Sequence, residues 1–273
     1  MIEVKNNFQK GVFSMELGLN GKVAIITGSS RGIGLETALY LVKEGAEVTI
    51  CARNKKRLEE AAAYILEQTG KEVLAVDTDV TKEEDCQRVV TATVEKYGRL
   101  DILVNNAGTS QPFAFEEVGT ELWQQDLDLK LFGAIHCSRY AVPHMRKVGG
   151  GAIVNVTAVI GKTPPASSLP SSVSRAAGMA LTKAMSKDLG PDNIRVNTVC
   201  IGWIRSEQIE KMWKDTYPEQ TWEQFSRQDR QIPIGRIGNT DEAAKVITFL
   251  VSDAASYVSG TSVNIDGGLA GTL

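Results

Sequence analysis

The stretch KVAIITGSSRGIG, at residues 22–34, decides the fold of this 273-residue chain. It begins with a continuous apolar run that ends at a glycine, as expected for a strand buried on both faces of a parallel sheet. Gly28, Gly32 and Gly34 then allow a tight turn and a close approach of a pyrophosphate, which the N-terminus of the following helix attracts. The stretch therefore predicts a strand, a glycine turn and a helix that together bind a dinucleotide.

Apolar strand-like runs alternate with amphipathic helix-like runs along the rest of the chain. The predicted strands are residues 22–27, 47–51, 73–76, 101–104, 152–156, 195–199 and 262–265. The predicted helices are residues 32–44, 55–67, 83–97, 120–146, 172–189 and 241–250. This alternation predicts a single α/β domain, a Rossmann-type doubly wound parallel sheet of about seven strands with helices on both faces.

The predicted domain covers residues 19–273, and residues 1–18 form an N-terminal extension. The extension is either a mobile end or an arm that contacts a neighbouring subunit. Within the domain, residues 206–231 interrupt the alternation and hold Trp213, Tyr217, Trp222 and Phe225 among many charges. We interpret this segment as a lid over the carboxyl ends of the strands, where ligands of such sheets bind. The alternative is a helical pair packed for oligomer contact.

Composition excludes several classes of protein. The net charge of −3 argues against a nucleic-acid partner, which usually requires a basic surface. No apolar run is long enough to cross a membrane, and residues 1–18 lack the features of a secretory signal. The four cysteines are far apart and show no metal-ligand spacing, so we expect buried thiols, no metal site and a cytoplasmic location.

The glycine spacing and several further motifs resemble those of the short-chain dehydrogenase/reductase family. The motifs are DV at 79–80, NNAG at 105–108, RVN at 195–197, GWIRS at 202–206, PIGR at 233–236 and DGG at 266–268. The resemblance covers about residues 19–269. It implies cofactor contacts at Gly28, Ser30, Arg31, Gly32, Ile33, Gly34, Arg53, Asp79, Val80, Asn106, Ala107, Gly108, Arg175, Gly202, Ile204 and Ser206.

The choice of cofactor is read at the end of the second predicted strand. Enzymes that use NAD carry an acid there, which hydrogen-bonds the ribose 2′-hydroxyl. This chain instead reads CARN at residues 51–54. Arg53 and Arg31 form a cationic pair suited to a 2′-phosphate, because a guanidinium matches phosphate geometry. We therefore expect NADP(H) in preference to NAD(H).

Catalysis in the family rests on Asn, Ser, Tyr and Lys, and all four positions are altered here. The resemblance places them at Lys130, Ala158, Ser171 and Arg175. If the match to the family motif is shifted by one residue, Thr157 becomes the equivalent of the serine. No such shift places a tyrosine at the position of Ser171. A serine hydroxyl is a poor general acid near neutral pH, and an arginine is effectively never deprotonated. The usual mechanism is therefore not available.

Lys130, Ser171 and Arg175 are the candidates for residual chemistry. Lys130 is either a base or Schiff-base nucleophile of lowered pKa, or a structural partner of Asp126 or Asp128, or a replacement for a buried water. A serine-hydrolase triad is not expected, because neither histidine of the chain lies where a serine would need its partner.

Three functions follow from these residues. The first is an NADP(H)-dependent oxidoreductase that acts on a carbonyl, an alcohol or a related small molecule with a non-standard acid/base set. The second is a catalytically inactive subunit that supports an active partner. The third is a lyase, aldolase or isomerase on the same fold. The aromatic residues of the lid segment suggest an apolar or ring-bearing substrate, and the family resemblance implies a homotetramer or a hetero-oligomer with an active subunit.

Overall fold

A central parallel sheet organises the chain. The computed structural model describes residues 15–228 and 231–272. Within them the strands are β1 (Val23–Thr27), β2 (Glu47–Ala52), β3 (Leu74–Asp77), β4 (Ile102–Asn105), β5 (Pro112–Phe113), β6 (Gly151–Ala158), β7 (Leu169–Pro170), β8 (Ile194–Ile201) and β9 (Ser262–Ile265). Seven of them form the sheet in the order β3-β2-β1-β4-β6-β8-β9, and β5 and β7 form a small antiparallel ribbon. This is the predicted doubly wound sheet.

Helices connect successive strands of the sheet. They are α1 (Gly32–Lys43), α2 (Lys55–Thr69), α3 (Glu83–Tyr97), α4 (Thr120–Leu127), α5 (Gly133–Lys147), α6 (Ser171–Asp188), α7 (Glu207–Thr216), α8 (Trp222–Ser226) and α9 (Thr240–Val251). The single helix predicted at 120–146 is interrupted. A π-helical segment, Asp128–Phe132, separates α4 from α5. Such segments often occur at functional sites, and this one carries Lys130.

Strand β1 shows why the sheet needs helices on both faces. All its residues are buried, and alternate side chains point to opposite sides. Ala24 and Ile26 pack in the hydrophobic cluster that α1, α2 and α9 cover. Val23 and Ile25 pack in the second cluster, against α3, α5 and α6. The continuous apolar run in the sequence is therefore the consequence of two cores, one on each face.

The strand order places the site. The connections run outward in opposite directions from β1 and β4, so a crevice opens between the carboxyl ends of these two neighbours. The glycine turn follows β1 and the NNAG motif follows β4, and both motifs meet at this crevice.

The predicted N-terminal extension and the predicted lid segment are each described only in part. Residues 1–14 of the predicted extension lie outside the described residues, but Leu17 packs against the first core and its carbonyl accepts the N–H of Asp253 at 2.9 Å. The segment predicted as a lid forms α7 and α8, which pack around Phe225 in a small core of their own. Residues 229–230 of that segment lie outside the description. None of the described helices combines the length and apolarity needed to cross a membrane.

Candidate nucleotide and active site

A cleft of about 1680 Å³ opens at the carboxyl ends of β1, β2, β4, β6 and β8. Every residue predicted to contact the cofactor lies in its wall except Gly34 and Asp79. Further wall residues come from the start of the lid segment, including Glu207, Ile209 and Met212. The volume and the extended shape of the lining suit a dinucleotide rather than a small substrate alone.

The glycine turn is built for a close approach. Gly28 has a φ of +64°, and a Cβ there would lie 2.8 Å from the Cα of Ala107. A Cβ on Gly32 would meet nothing, so the cleft is open in front of the first turn of α1. No side chain caps this helix, which leaves its first N–H groups available to an anion. The residues present therefore fit a bound pyrophosphate.

The NNAG motif holds the turn in place from the next strand. The side-chain amide of Asn106 donates to the carbonyl oxygens of Thr27 and Gly28, at 2.9 and 3.1 Å. The backbone N–H groups of Asn106 and Ala107 both donate to the hydroxyl of Thr27 at 3.0 Å. These four bonds fix the relative positions of the loops after β1 and β4, on which the cleft depends.

Two residues predicted to contact the cofactor do not line the cleft. Gly34 is buried beneath the turn, where a Cβ would lie 2.7 Å from the carbonyl oxygen of Gly28. It therefore permits close packing of helix and turn. The carboxylate of Asp79 turns toward Thr81 and accepts its N–H and hydroxyl at 3.2 and 2.9 Å. Val80, the next residue, does line the cleft.

One end of the cleft is rich in arginine. The residues that follow β2, Arg53 and Asn54, line it without an acid between them and the strand. Arg31 forms an ion pair with Glu207, and Arg57 lies 3.4 Å from the other oxygen of that carboxylate. Partial burial and the nearby charge of Arg57 lower the pKa of Arg31. The structure thus pairs Arg31 with Arg57, whereas the predicted partner Arg53 is exposed at the same end of the cleft.

Arg57 was not among the cofactor contacts predicted from the sequence, although its position after a helix cap indicates such a contact. Asn54 caps α2, and its side-chain oxygen accepts the N–H of Arg57 at 3.0 Å. A residue three positions after the cap lies in the first turn of the helix. The first turn of a helix that follows a strand lies at the carboxyl edge of the sheet, where the cofactor binds.

The four residues predicted to stand at the family's catalytic positions fall into two groups in the structure. Lys130 and Ser171 lie behind the cleft wall: the Lys130 side chain is 1% exposed and Ser171 is 1% exposed. Ala158 and Arg175 line the cleft itself. Thr157 also lines it, but its hydroxyl lies 3.1 Å from both the Thr198 hydroxyl and the Val199 carbonyl oxygen.

Lys130 is the centre of a buried polar network. Its ammonium pairs with Asp126, one helical turn earlier, and donates to the Ser171 hydroxyl at 2.7 Å. Ser174 donates to the second oxygen of Asp126 at 2.6 Å. The Ser171 oxygen also accepts the backbone N–H of Gln111 at 2.9 Å. Of the two acids considered from the sequence, Asp126 is therefore the partner, and Asp128 instead accepts from Gln124 at 2.7 Å.

The charge of Lys130 is only partly compensated. Burial, and the positive charge of Arg175, lower the pKa of Lys130 to about 8, while Asp126 acts in the opposite direction. The ammonium form therefore prevails at neutral pH. In this arrangement the amine is held between Asp126 and Ser171, and its solvent exposure is too small for direct contact with a molecule in the cleft.

Arg175, predicted to stand at the position of the family's lysine, lines the cleft. One guanidinium nitrogen donates to the carbonyl oxygen of Val156 at 2.7 Å. The other lies 2.9 Å from the point where a Cβ on Gly108 would stand, so glycine at 108 leaves room for this side chain. Burial lowers the pKa of Arg175, although an arginine remains protonated at physiological pH.

The cleft wall holds few groups that titrate near neutral pH. Among the described residues that line it, the ionisable side chains are arginines and carboxylates, with no tyrosine, lysine, histidine or cysteine. The arginines are Arg31, Arg53, Arg57, Arg175 and Arg205, and the acids are Glu36, Glu207, Glu210 and Asp241. The arrangement can bind anions and stabilise negative charge, but it offers no phenol or amine to transfer a proton.

Comparisons with known proteins agree with this architecture. A family model described as enoyl-(acyl carrier protein) reductase matches residues 28–270. The 3-oxoacyl-[acyl-carrier-protein] reductase FabG of Thermotoga maritima is 38% identical over 252 residues, which cover 92% of this chain and 98% of that protein. L-sorbose reductase of Gluconobacter frateurii, solved with NADPH and L-sorbose, superposes with a TM-score of 0.90 at 36% identity, covering 95% and 100% of the two chains.

A further solved structure is also similar to this chain over nearly its whole length. A short chain oxidoreductase of Pseudomonas aeruginosa PAO1, described as containing an atypical catalytic center, is 32% identical to this chain. Its apo form superposes with a TM-score of 0.91, covering 94% of this chain and 100% of that one, and its NADPH-bound form with 0.88, covering 94% and 99%. From the matched family model, the identities and the coverage, this chain belongs to the short-chain dehydrogenase/reductase family, a family of oxidoreductases.

Proposed function

We propose that this protein is an NADP(H)-dependent oxidoreductase that acts on a carbonyl compound, or the corresponding alcohol, without the family's usual proton donor. The observation that carries the proposal is the arginine-rich end of the cleft. Arg31, Arg53 and Arg57 lie there, and no acid follows β2 to receive a ribose 2′-hydroxyl. A 2′-phosphate satisfies such a set of guanidiniums far better than a hydroxyl does.

Two similar proteins support the choice of cofactor and the possibility of activity. L-sorbose reductase and the Pseudomonas oxidoreductase were both solved with NADPH. The second is also described as having an atypical catalytic center. A departure from the usual residues is therefore compatible with retention of NADPH binding in a protein of this shape.

Arg175 is the residue we expect to act on the substrate. NADPH, when bound, would supply a hydride for the carbonyl carbon, and negative charge would then develop on the carbonyl oxygen of the substrate. Arg175 contacts the cleft and carries N–H donors and a fixed positive charge, so it stabilises that oxygen electrostatically. It cannot release a proton, so the alkoxide takes its proton from water in the open cleft.

The first test is a calorimetric titration of the purified protein with NADPH and NADH separately. We expect NADPH to bind at micromolar concentrations and NADH to bind at least about tenfold more weakly. The variant Arg53→Met should lower the affinity for NADPH and leave the affinity for NADH nearly unchanged. Equal binding of the two cofactors would refute the NADP(H) preference, and binding of neither would refute the assignment as a nicotinamide-dependent enzyme.

The second test is NADPH oxidation across ketones, imines and enones. We expect turnover of at least one class, with a rate limited by the absence of a proton donor. Arg175→Met should lower kcat and leave the folded state intact. A folded protein that binds NADPH but turns over none of the three classes would contradict the enzymatic proposal.

A second candidate is a nucleotide-binding subunit without catalysis, and the buried network favours it. Lys130 and Ser171 bond to each other and to Asp126 and Gln111 rather than face the cleft. A subunit of this kind would purify from its native source in a hetero-oligomer with an active relative. Recovery as a pure homo-oligomer would argue against it.

The third reading, a Schiff-base lyase or aldolase at Lys130, has less support. Its amine is 1% exposed and lies against a carboxylate, so a carbonyl in the cleft cannot reach it in this conformation. Borohydride trapping of an imine on Lys130 would be the result that restores this reading.

A further inference from the structure

Glu207 connects the lid segment to the far wall of the cleft. It is the first residue of α7, just after the capping residue Ser206. Its carboxylate contacts Arg31, which precedes α1, and Arg57, in the first turn of α2. One side chain of the lid therefore bridges two guanidiniums from separate elements of the nucleotide-binding half.

The two arginines both contact the Glu207 carboxylate and together form a site that favours an anion. They lie close enough for the charge of Arg57 to affect Arg31, and like charges at such a separation repel one another. Glu207 supplies one negative charge on two oxygens. A ribose 2′-phosphate supplies up to two charges on three oxygens, and it forms bidentate contacts with guanidinium groups. The phosphate is therefore the stronger ligand for the same pair.

We propose that Glu207 is a cofactor-selectivity residue: its carboxylate occupies the guanidiniums of Arg31 and Arg57, and only a 2′-phosphorylated nucleotide displaces it and releases helix α7. The proposal rests on the NADP(H) binding inferred above. A nucleotide with a free 2′-hydroxyl has no charge at the 2′ position with which to compete, so it leaves the bridge intact. Glu207 thereby couples recognition of one phosphate group to movement of the lid segment.

The neighbouring acid on the same helix, Glu210, does not bridge the cleft as Glu207 does. Glu210 pairs at 2.7 Å with Arg205, a residue of the lid segment's own entrance. That pair joins two positions on one side of the cleft, so its loss would not separate α7 from α1 and α2. Glu207 is the acid of α7 for which the structure shows contacts to the opposite wall.

The binding test uses adenosine 2′,5′-bisphosphate and AMP, which differ by the 2′-phosphate alone. In the variant Glu207→Gln the arginines are free, so we expect affinity for the bisphosphate to rise about threefold to tenfold. Affinity for AMP should change little. Glu223→Gln is the matched control, because it removes the same charge from an exposed position of α8 outside the cleft wall. It should leave both affinities unchanged.

A second variant, with the opposite expected effect on affinity, separates the proposed role of the bridge from a general effect of substitution on folding. Arg57→Met removes one of the two guanidiniums. We expect it to lower the affinity for the bisphosphate several-fold and to change the affinity for AMP little. If Glu207→Gln fails to raise bisphosphate affinity, or raises AMP affinity equally, the proposal is wrong. If the wild-type protein binds neither NADPH nor the bisphosphate, the NADP(H) assignment itself fails, and this inference with it.

Movement of α7 is measured by hydrogen exchange of its backbone amides. In the wild-type protein we expect the bisphosphate to speed exchange across residues 207–216 and AMP to leave it unchanged. In Glu207→Gln the faster exchange should already be present without ligand. Identical exchange in the two proteins, with and without the bisphosphate, would overturn the link between the 2′-phosphate and the lid.

Discussion

The ammonium of Lys130 and the carboxylate of Asp126 form an ion pair in which each side chain is only 1% exposed. Lys130 is the residue that the sequence predicts at the position of the family's catalytic asparagine. It consists of two charges removed from water, which is unfavourable unless each charge is matched and hydrogen-bonded. Ser171 accepts a hydrogen bond from Lys130 and Ser174 donates one to Asp126, so one hydroxyl of α6 contacts each charge.

Removal of one charge should therefore destabilise the fold strongly. We expect Lys130→Met to lower the free energy of unfolding by about 3–5 kcal/mol, because Asp126 is left buried without its partner. The measurement is equilibrium unfolding in urea. Lys245→Met is the matched control, since Lys245 pairs with Asp241 at the same four-residue spacing on an exposed surface. Its loss should lower the free energy of unfolding far less, because water screens an exposed ion pair.

The double variant Lys130→Met/Asp126→Leu removes both charges of the pair together. With both charges gone, we expect most of the lost stability to return. A double variant as unstable as Lys130→Met would show that the site depends on the charges themselves rather than on their mutual compensation.

The same pair predicts a pH dependence. The folded protein lowers the pKa of Lys130 to about 8 from its ordinary value of 10.5. Between these values the unfolded chain binds more protons at this lysine than the folded protein does, so stability rises with pH. Below pH 8 both states are protonated and the destabilising effect is fully present. Relative to the double variant, the wild-type free energy of unfolding should increase by about 1–2 kcal/mol from pH 8 to pH 10.

This difference is measured by urea unfolding of the two proteins in parallel buffers, so that titration of other groups cancels. A difference that is flat or falls over this range would mean that Asp126 holds the Lys130 charge fully, and that the pKa is not lowered.

The glycine turn and the NNAG motif were predictable because their function depends on local backbone geometry. Gly28 requires positive φ and a close approach to Ala107, and such requirements appear directly as residue type. The same holds for β1, whose two buried faces produce an unbroken apolar run. The single predicted helix at 120–146 was wrong in detail, because a π-helical segment leaves no clear mark in hydrophobic spacing.

The role of Lys130 could be narrowed from the sequence but not decided. Residues four apart share a helix face, which favours Asp126 over Asp128 as a partner. Its burial, however, depends on Ser171 and Gln111, which come from distant parts of the chain. The place of Arg57 at the edge of the sheet could have been inferred from the helix cap at Asn54, but its contact with Glu207, 150 residues further along the chain, could not.

Restoration of the family's tyrosine alone should not restore its chemistry. Ser171 is buried and bonded to Lys130 and to the N–H of Gln111, so a phenol ring at this position has no space. We expect Ser171→Tyr to lower the free energy of unfolding by about 1–3 kcal/mol and to add no reductase activity. Val173→Tyr, at a 45% exposed position of the same helix, should be nearly neutral. Increased NADPH oxidation by Ser171→Tyr would show that this position does open into the cleft.

Substitution of Gly28 tests the nucleotide site independently of catalysis. A Cβ there would lie 2.8 Å from a backbone atom of Ala107, at a φ of +64° that side chains adopt with strain. Gly28→Ala must therefore shift the turn against the loop after β4, and we expect affinity for NADPH to fall at least about tenfold. Gly98→Ala is the control, because Gly98 has a φ of +77° at the end of α3 and open space around its Cβ. It should cost about 1 kcal/mol of stability and leave NADPH affinity unchanged. Equal effects of the two variants on NADPH affinity would contradict the prediction, because the loss would then not be specific to the approach of Gly28 to Ala107.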